Sequence, residues 1–301
     1  MSTLLSRYLD PDVLNQVADQ PLDPSGLVIG NLAGAHKSPL SGFAVEFAGH
    51  REYVAGDEPK HVDWRVYFSR DKLFVKQYEL ETNFVCHLLL DISASMRYGA
   101  GSEQKLQFSQ RLAATLAYSI VRQSDKVSLI TFDDQIRGTV PPSNASAQVL
   151  RMMHHFDGMQ AVEKTDIAGC LEHISGQLGR REIVMVFSDF FGDLDALERA
   201  LQRLRYQRHE VILFQVMHHD ELAFEFDGMV RFIGLEIPEE LLTQPEDLRR
   251  AYLDAVERFN VRFEEIALRN QCERVLLDTR RPLGEALADY LTQRLRQVRR
   301  R

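Results

Sequence analysis

The sequence predicts an α/β fold with a doubly wound, mainly parallel sheet. From about residue 84 onward, apolar strands alternate with amphipathic helices, and the segment 84–92 is apolar at nearly every position. Such a run is typical of a strand buried on both faces. Strands separated by helices require right-handed crossovers, which place helices on both sides of a parallel sheet. In this fold, ligands bind at the carboxyl ends of the strands where the strand order reverses.

The predicted elements follow one another in regular order. A helix over 104–123 has Leu106, Leu112, Leu116 and Ile120 at helical spacing. Further strands are predicted at 126–132, 136–140, 182–187, 211–217 and 274–277, and further helices at 147–156, 166–178, 194–208, 245–270 and from 283 onward. Pro141 and Pro142 are expected to end the strand at 136–140, because proline cannot donate to a ladder.

Three segments are predicted along the chain. Residues 1–40 contain several prolines and glycines and are expected to be irregular. Residues 41–83 mix aromatic and charged residues and are expected to form a β-rich N-terminal extension, since 73–78 alternates apolar and polar positions. Residues 84–301 form the α/β domain, with a β-excursion over 220–237 around Asp227 and Gly228.

The composition and net charge of the chain argue against some classes of function. The net charge of −8 gives no electrostatic case for nucleic-acid binding. The basic residues Arg294, Arg296, Arg299, Arg300 and Arg301 are interpreted as a solvated helix end. No signal peptide and no run near the roughly 18 apolar residues of a membrane span is seen, so we expect a cytoplasmic protein without a membrane span.

The cysteines and histidines suggest no metal site of their own. Cys86, Cys170 and Cys272 lie far apart without a CxxC pair, and Cys86 and Cys272 are expected to be buried thiols. Histidines occur as adjacent pairs, which point in different directions on a helix. Neither a glycine-rich nucleotide motif nor a G-x-S-x-G elbow is present.

Oxygen-bearing side chains follow the ends of the predicted strands. Asp91, Ser93 and Ser95 form a D-x-S-x-S motif after the first buried strand, Thr165 precedes a helix, and Asp189 follows the strand at 182–187. Because these loops meet at one edge of a parallel sheet, we expect the five side chains to bind Mg²⁺, or alternatively Mn²⁺ or Ca²⁺. Three neutral hydroxyls leave such an ion electrophilic, which favours a carboxylate from a partner protein's Asp or Glu.

Structural interpretations remain open for the same residues. Asp91 alone can hold a loop, and Thr165 can cap the helix that follows it. Asp133 and Asp193 are further acidic residues nearby, which we interpret as loop and cap residues.

The combined motifs resemble a known family. Asp91, Ser93, Ser95, Thr165 and Asp189 resemble the metal-ion-dependent adhesion site of von Willebrand factor A domains. Upstream, Arg51 to Trp64 resembles the R-x-Y-x-x-G-D-x-x-x-x-I-D-W pattern of the bacterial domain of unknown function family 58, with Val62 in place of isoleucine. The resemblance covers about residues 40–296 and implies a von Willebrand factor A-like fold. It also implies a chaperone-like or assembly role beside a MoxR-type AAA+ ATPase.

The upstream block has a structural interpretation beside a functional one. Trp64 is expected to pack as a core or interdomain anchor, supported by a network of Arg51, Asp57 and Asp63. The alternative is a surface that docks a partner.

The leading functional prediction is a metal-dependent protein-interaction module that is not an enzyme. Its partner is expected to be an AAA+ ATPase or that ATPase's client. One alternative is a metal-dependent hydrolase or phosphotransferase with Asp91 or Ser93 as nucleophile, although no general base can be assigned. Another is a metal-free scaffold whose contacts come from Trp64 and the 220–237 excursion.

Overall fold

A computed structural model provides the structure of the chain. It describes residues 2–18, 20, 22, 24, 33–37, 46–54, 57, 62–70, 72–79, 81–82, 84–159, 165–179, 181–235 and 239–298. The chain divides into two compact units, one made of residues 1–25 and 85–301 and the other of residues 26–84.

Helices and strands alternate through most of the chain. The helices are α1 Ser2–Tyr8, α2 Pro11–Val17, α3 Trp64–Arg70, α4 Lys105–Arg122, α5 Ala147–Asp157, α6 Ile167–Ser175, α7 Leu194–Tyr206, α8 His219–Ala223, α9 Pro245–Arg269 and α10 Leu283–Val298. The strands are β1 Ala33–Lys37, β2 Glu46–Glu52, β3 Phe74–Glu79, β4 Glu81–Thr82, β5 Val85–Asp91, β6 Lys126–Phe132, β7 Ile136–Ser143, β8 Ile183–Ser188, β9 Glu210–Met217, β10 Val230–Ile233, β11 Glu240–Thr243 and β12 Glu273–Asp278.

The larger unit is built on a six-stranded sheet of order β12-β9-β8-β5-β6-β7. All neighbours pair in parallel except β7, which runs antiparallel to β6. The predicted doubly wound, mainly parallel sheet is therefore confirmed. The chain leaves β5 towards β6 on one side and returns to β8 on the other, so the strand order reverses at the carboxyl end of β5.

Apolar composition explains which strands lie in the centre. Every residue of β8 is buried, and in β5 and β9 only the first residue is partly exposed. Helices on both faces exclude water from these strands, as their unbroken apolar sequences predict. The two cysteines expected to be core thiols, Cys86 and Cys272, are indeed buried.

The prediction that residues 1–40 are irregular is wrong where the structure describes them. Residues 2–8 and 11–17 form α1 and α2. Asp10 caps α2 through its side chain, and Pro11 occupies the first helical turn, where its missing N–H is not needed. Both helices belong to the larger unit, in which α2 packs against α4 and α10.

Two further elements differ from prediction. Strand β7 continues through Pro141 and Pro142 to Ser143; it is an edge strand, where a proline can face away from the only neighbour. The segment 220–237 is not purely β-structure, because it includes most of α8 and then β10, which pairs antiparallel with β11. Residues 236–238 lie outside the described residues.

The smaller unit contains short elements. Strand β1 pairs antiparallel with β4, and β2 pairs antiparallel with β3. Helix α3 was not predicted in this segment, and the compact unit spans 26–84 rather than the predicted 41–83.

The upstream motif is only partly as predicted. Arg51 and Asp57 form the expected ion pair, with Nη2 and Oδ1 2.8 Å apart. Asp63 instead bonds to His50, with 2.9 Å between Oδ2 and Nε2, and its Oδ1 accepts from the backbone N–H of Arg65. Trp64 is 54% exposed at the start of α3, so the prediction that it is a core residue is wrong. Gly56 lies outside the described residues.

The basic C-terminus also differs from prediction. Arg294 is not solvated, since its side chain is only 3% exposed and lies between two carboxylates. It donates to Glu210 of β9 and, at 2.7 Å, to Glu273 of β12. Arg296 is exposed, as predicted, and Arg299, Arg300 and Arg301 lie outside the described residues.

We predict that Arg294→Ala lowers the free energy of unfolding by about 3–5 kcal/mol, because it leaves Glu210 and Glu273 without their shared buried cation. Urea unfolding measures this. Arg296→Ala, on the exposed face of the same helix, is the control and is expected to change stability by less than about 0.5 kcal/mol. Equal effects of the two substitutions would contradict the assignment.

Candidate metal centre at the carboxyl edge of the sheet

Asp91 ends β5 at the point where the strand order reverses, and it is fully buried. Its carboxylate accepts from three segments of the chain. Oδ1 accepts from the backbone N–H of Ser93 at 2.9 Å and from Thr165 Oγ1 at 3.3 Å, and Oδ2 accepts from Ser188 Oγ at 2.6 Å. The turn after β5, the carboxyl end of β8 and the loop before α6 therefore meet at this carboxylate.

The hydroxyls of the D-x-S-x-S motif lie together. Ser93 Oγ and Ser95 Oγ are 3.1 Å apart, and Ser93 is fully buried. The chain turns sharply here because the last residue of the motif, Ser95, begins a single 3-10 turn over residues 95–97.

The structure decides between the two interpretations of Thr165. Helix α6 is capped by Asp166, whose Oδ1 accepts from the backbone N–H of Gly169 at 2.9 Å. Thr165 is therefore not the cap, and its hydroxyl is directed to Asp91.

The loop after β8 places Asp189 beside the same site. Asp189 is buried, and its Oδ1 accepts from the backbone N–H of Phe191 at 3.2 Å. Phe190 adopts a left-handed backbone conformation with φ of 59°, which is unfavourable for a bulky residue. Its buried ring packs on Phe263 at 4.8 Å, and its N–H donates to Ser188 Oγ at 3.0 Å. These contacts hold the strained loop.

A lysine from α4 also reaches this edge. Lys105 is fully buried, and its Nζ donates to Asp189 Oδ2 at 2.8 Å and to Glu221 Oε1 at 2.7 Å. Of the five predicted ligands, four are linked by hydrogen bonds around Asp91, whereas Asp189 is already paired with an ammonium group.

The electrostatics of Asp91 show a shortage of positive charge. Burial, and secondly the negative charge of Asp189, raise the pKa of Asp91 to about 6, although hydrogen bonds from Ser188 and Ser93 lower it. A divalent cation beside two such carboxylates would favour their ionised forms.

The donor set fits a hard cation. Asp91, Ser93, Ser95 and Thr165 present one carboxylate and three hydroxyls within one hydrogen-bonded group. In the described part of the chain, no group of three or more His, Cys, Asp or Glu side chains is placed to hold a metal ion. A cation at this edge would therefore depend largely on hydroxyl oxygens, which are ligands for Mg²⁺ or Ca²⁺ rather than for a transition metal.

Two neighbouring acidic residues, Asp193 and Asp133, make other contacts. Asp193 caps α7 through the backbone N–H groups of Asp195 and Ala196, as predicted. Asp133 accepts from Arg137 Nε at 2.7 Å and from the backbone N–H of Gln135, which makes it a loop residue.

Sequence reasoning missed three participants. Ser188 is the last residue of the apolar strand β8, and the sequence offers no signal that separates it from the strand. Lys105 shares a helix face with Phe108 and Leu112, at positions i, i+3 and i+7. A lysine on an apolar stripe is the signal that could have identified it. Glu221 belongs to the capping box that starts α8 at His218.

Comparison with known proteins identifies the family. The model of the family described as "Protein of unknown function DUF58" matches residues 49–262. This chain belongs to the DUF58 family. Both motif blocks, from Arg51 to Trp64 and from Asp91 to Asp189, lie within the matched range.

Relatives of this DUF58 protein occur in mycobacteria. Over 191 residues it is 23% identical to the uncharacterised proteins Mb1516 of Mycobacterium bovis and Rv1480 of Mycobacterium tuberculosis. The alignment covers 62% of this chain and 60% of each relative, so the chain spans less than two thirds of the relatives' length.

Solved structures with related folds are distant. The chain is similar to BatB of Bacteroides thetaiotaomicron, with 14% identity, a TM-score of 0.47, and coverage of 71% of this chain and 100% of that one. It is also similar to an aerotolerance-related membrane protein of Bacteroides fragilis, with 16% identity, a TM-score of 0.49, and coverage of 73% and 100%. In the described part of the DUF58 chain, no helix has the length and apolarity needed to cross a membrane.

We predict that Asp91→Asn removes a pH-dependent loss of stability in protein freed of divalent cations. Because the folded-state pKa of Asp91 is raised from 3.8 to about 6, its ionisation destabilises the folded state as pH rises from about 4 to 7. The full effect is on the order of 3 kcal/mol. Urea unfolding in EDTA across this range should show the wild type losing stability relative to the variant.

The control for this prediction is Asp193→Asn. Hydrogen bonds from Ala196 and Asp195 lower the pKa of Asp193, so its ionisation stabilises the folded state and the effect has the opposite sign. An Asp91→Asn variant with the same pH dependence as the wild type would show that Asp91 titrates normally.

Proposed function

We propose that this DUF58 protein is a non-catalytic protein-interaction module that binds a partner's carboxylate through a divalent cation. Asp91, Ser93, Ser95, Thr165 and Asp189 would hold the ion. A bound Mg²⁺, or Mn²⁺ or Ca²⁺ in its place, supplies an electrophilic centre for an Asp or Glu of the partner. The observation that carries the proposal is the convergence of three segments, two loops and the end of β8, on the buried carboxylate of Asp91.

The charge of the protein supports a bridging ion. The net charge is −8, Asp166 is next to Thr165 in the chain, and the backbone N–H of Asp166 donates to the carbonyl oxygen of Asp133 at 3.0 Å. An acidic partner side chain would be repelled by this edge without a cation, because like charges at short range oppose association. A metal between the two proteins converts that repulsion into attraction.

The contacts of the polar groups argue against catalysis. The Ser93 hydroxyl bonds to the Ser95 hydroxyl, and the nearby Lys105 is held by two carboxylates. A serine nucleophile needs an adjacent base to remove its proton. Three described histidines next to this edge bond elsewhere: His155 to Thr131, His219 to Asp278, and His218, whose Nδ1 accepts from the backbone N–H of Asp220. Turnover of phosphoesters that is lost in Asp91→Ala would instead establish a metal-dependent hydrolase or phosphotransferase.

The proposed partner is a MoxR-type AAA+ ATPase or its client, in the cytoplasm. Support for this partner comes only from the family resemblance, which implies a chaperone-like role beside such ATPases. A metal-bridged contact suits that role, because a contact made through one ion can be broken without unfolding either protein.

We predict that the purified protein binds Mg²⁺ and Mn²⁺ saturably and that Asp91→Ala abolishes the binding. Asp91 is the group on which the three segments converge, so its loss removes the central ligand. Isothermal titration calorimetry and thermal shift measure the effect. Asp254→Ala removes an equal charge from the exposed face of α9 and should bind as the wild type does.

Partner binding is tested with a purified MoxR-type ATPase from the same organism. Capture that requires Mg²⁺, fails in EDTA, and is lost in Asp91→Ala but not in Asp254→Ala would support the proposal. Capture that is indifferent to EDTA and to Asp91→Ala would support the metal-free scaffold instead, with Trp64 and the 220–237 segment as its contact surfaces.

A further inference from the structure

The environment of Lys105 is unusual for a lysine. Its side chain is 0% exposed, in the first turn of α4, and its ammonium lies between Asp189 at 2.8 Å and Glu221 at 2.7 Å. The two carboxylates come from different places, Asp189 from the loop after β8 and Glu221 from α8. Lysine is almost never fully buried unless it is paired.

A buried ammonium group that donates to two carboxylates places a positive charge at this edge of the sheet. The protein therefore already holds an internal cation beside Asp189.

This internal cation is bonded to a carboxylate that belongs to the proposed metal site. Asp189 Oδ2 accepts from Lys105, and Asp189 Oδ1 accepts from the backbone N–H of Phe191. A divalent ion held by Asp91 and Asp189 would draw on the same carboxylate as the ammonium. Two cations that share one carboxylate weaken each other's binding.

We propose that Lys105 competes with the metal for Asp189, and that tight cation binding requires the ammonium to release Asp189 and to keep only its bond with Glu221. The inference rests on the proposed metal site. Lys105 is then a positioning residue that sets cation affinity, and Glu221 is the alternative partner that retains the ammonium.

The position of Glu221 gives this exchange a structural consequence. Glu221 Oε2 accepts from the backbone N–H of His218 at 2.8 Å, which makes it part of the cap of α8. Helix α8 is followed directly by Phe224, whose ring stacks on Phe232 of β10 and on Tyr252 of α9. A change in the pairing of Lys105 would therefore be transmitted to α8 and to the segment that follows it.

The test measures Mg²⁺ and Mn²⁺ binding by calorimetry in the whole protein and in two variants. Lys105→Met removes the competitor, and we expect roughly tenfold tighter binding. Glu221→Gln removes the alternative partner and leaves the ammonium on Asp189, and we expect roughly severalfold weaker binding.

Matched controls separate this mechanism from a general change in charge. Lys126→Met removes a lysine at the amino end of β6, at the opposite edge of the sheet, and should leave the affinity unchanged. Glu103→Gln removes a half-exposed carboxylate just before α4 and should have a much smaller effect than Glu221→Gln.

The thermal stability of Lys105→Met provides a second measurement besides cation affinity. Without divalent cations, Lys105→Met should lower the thermal stability, because Asp189 and Glu221 lose their shared counter-ion. Mg²⁺ should then raise the melting temperature of this variant more than that of the wild type. If Lys105→Met is unfolded without divalent cations and saturating Mg²⁺ does not restore its folding, the inference is contradicted, because the metal is then unable to replace the ammonium.

The outcomes distinguish this inference from the proposed function. Binding in the wild type with no gain in Lys105→Met overturns the inference and leaves the metal-dependent function standing. Binding that appears only in Lys105→Met supports the inference and shows that the resting protein is not metal-loaded. Absence of binding in both overturns both.

Discussion

A buried carboxylate at the reversal of strand order governs the organisation of this protein. Asp91 has no access to water, and an ionised group in such a place is destabilising unless it is neutralised or surrounded by donors. The donors come from Ser93, Thr165 and Ser188, which belong to three separate segments. Meeting the requirement of one carboxylate thus fixes the mutual positions of the three segments, which form the candidate metal centre.

The neighbouring carboxylate, that of Asp189, is stabilised in a different way. Asp189 receives a full counter-charge from Lys105, and the backbone that presents it passes through the strained conformation of Phe190. The packing of Phe190 against Phe263 offsets that strain. The edge therefore contains one carboxylate that is satisfied by neutral donors and one that is satisfied by an ammonium group, and only the first is without a counter-ion. Because of this difference, Lys105 and a bound divalent cation would both supply positive charge to the same pair of carboxylates, Asp91 and Asp189.

The fold and most of the site could be predicted because they depend on strong local signals. The segments that became β5, β6, β8 and β9 are unbroken apolar runs, and loops after parallel strands necessarily share an edge. The only local signal for Lys105 is its place on the apolar stripe of α4, and that signal does not name its partners. A lysine in an amphipathic helix is normally solvated, and only the tertiary partners Asp189 and Glu221 explain its burial. Helices α1 and α2 were missed because each has only seven residues, too short to form without packing on the larger unit.

The order of strands determines how much of the chain is needed to cover the central strands of the sheet. The family match ends at residue 262, ahead of β12 and α10. Without those elements β9 would become the outermost strand, and its residues are buried along almost the whole length. A long apolar edge with free N–H and C=O groups is a template for pairing with other chains. The terminal strand β12 pairs with β9 along this edge, and Arg294 of α10 neutralises Glu210 on β9. The strand that is left at the edge is then β12, in which only Leu277 is buried.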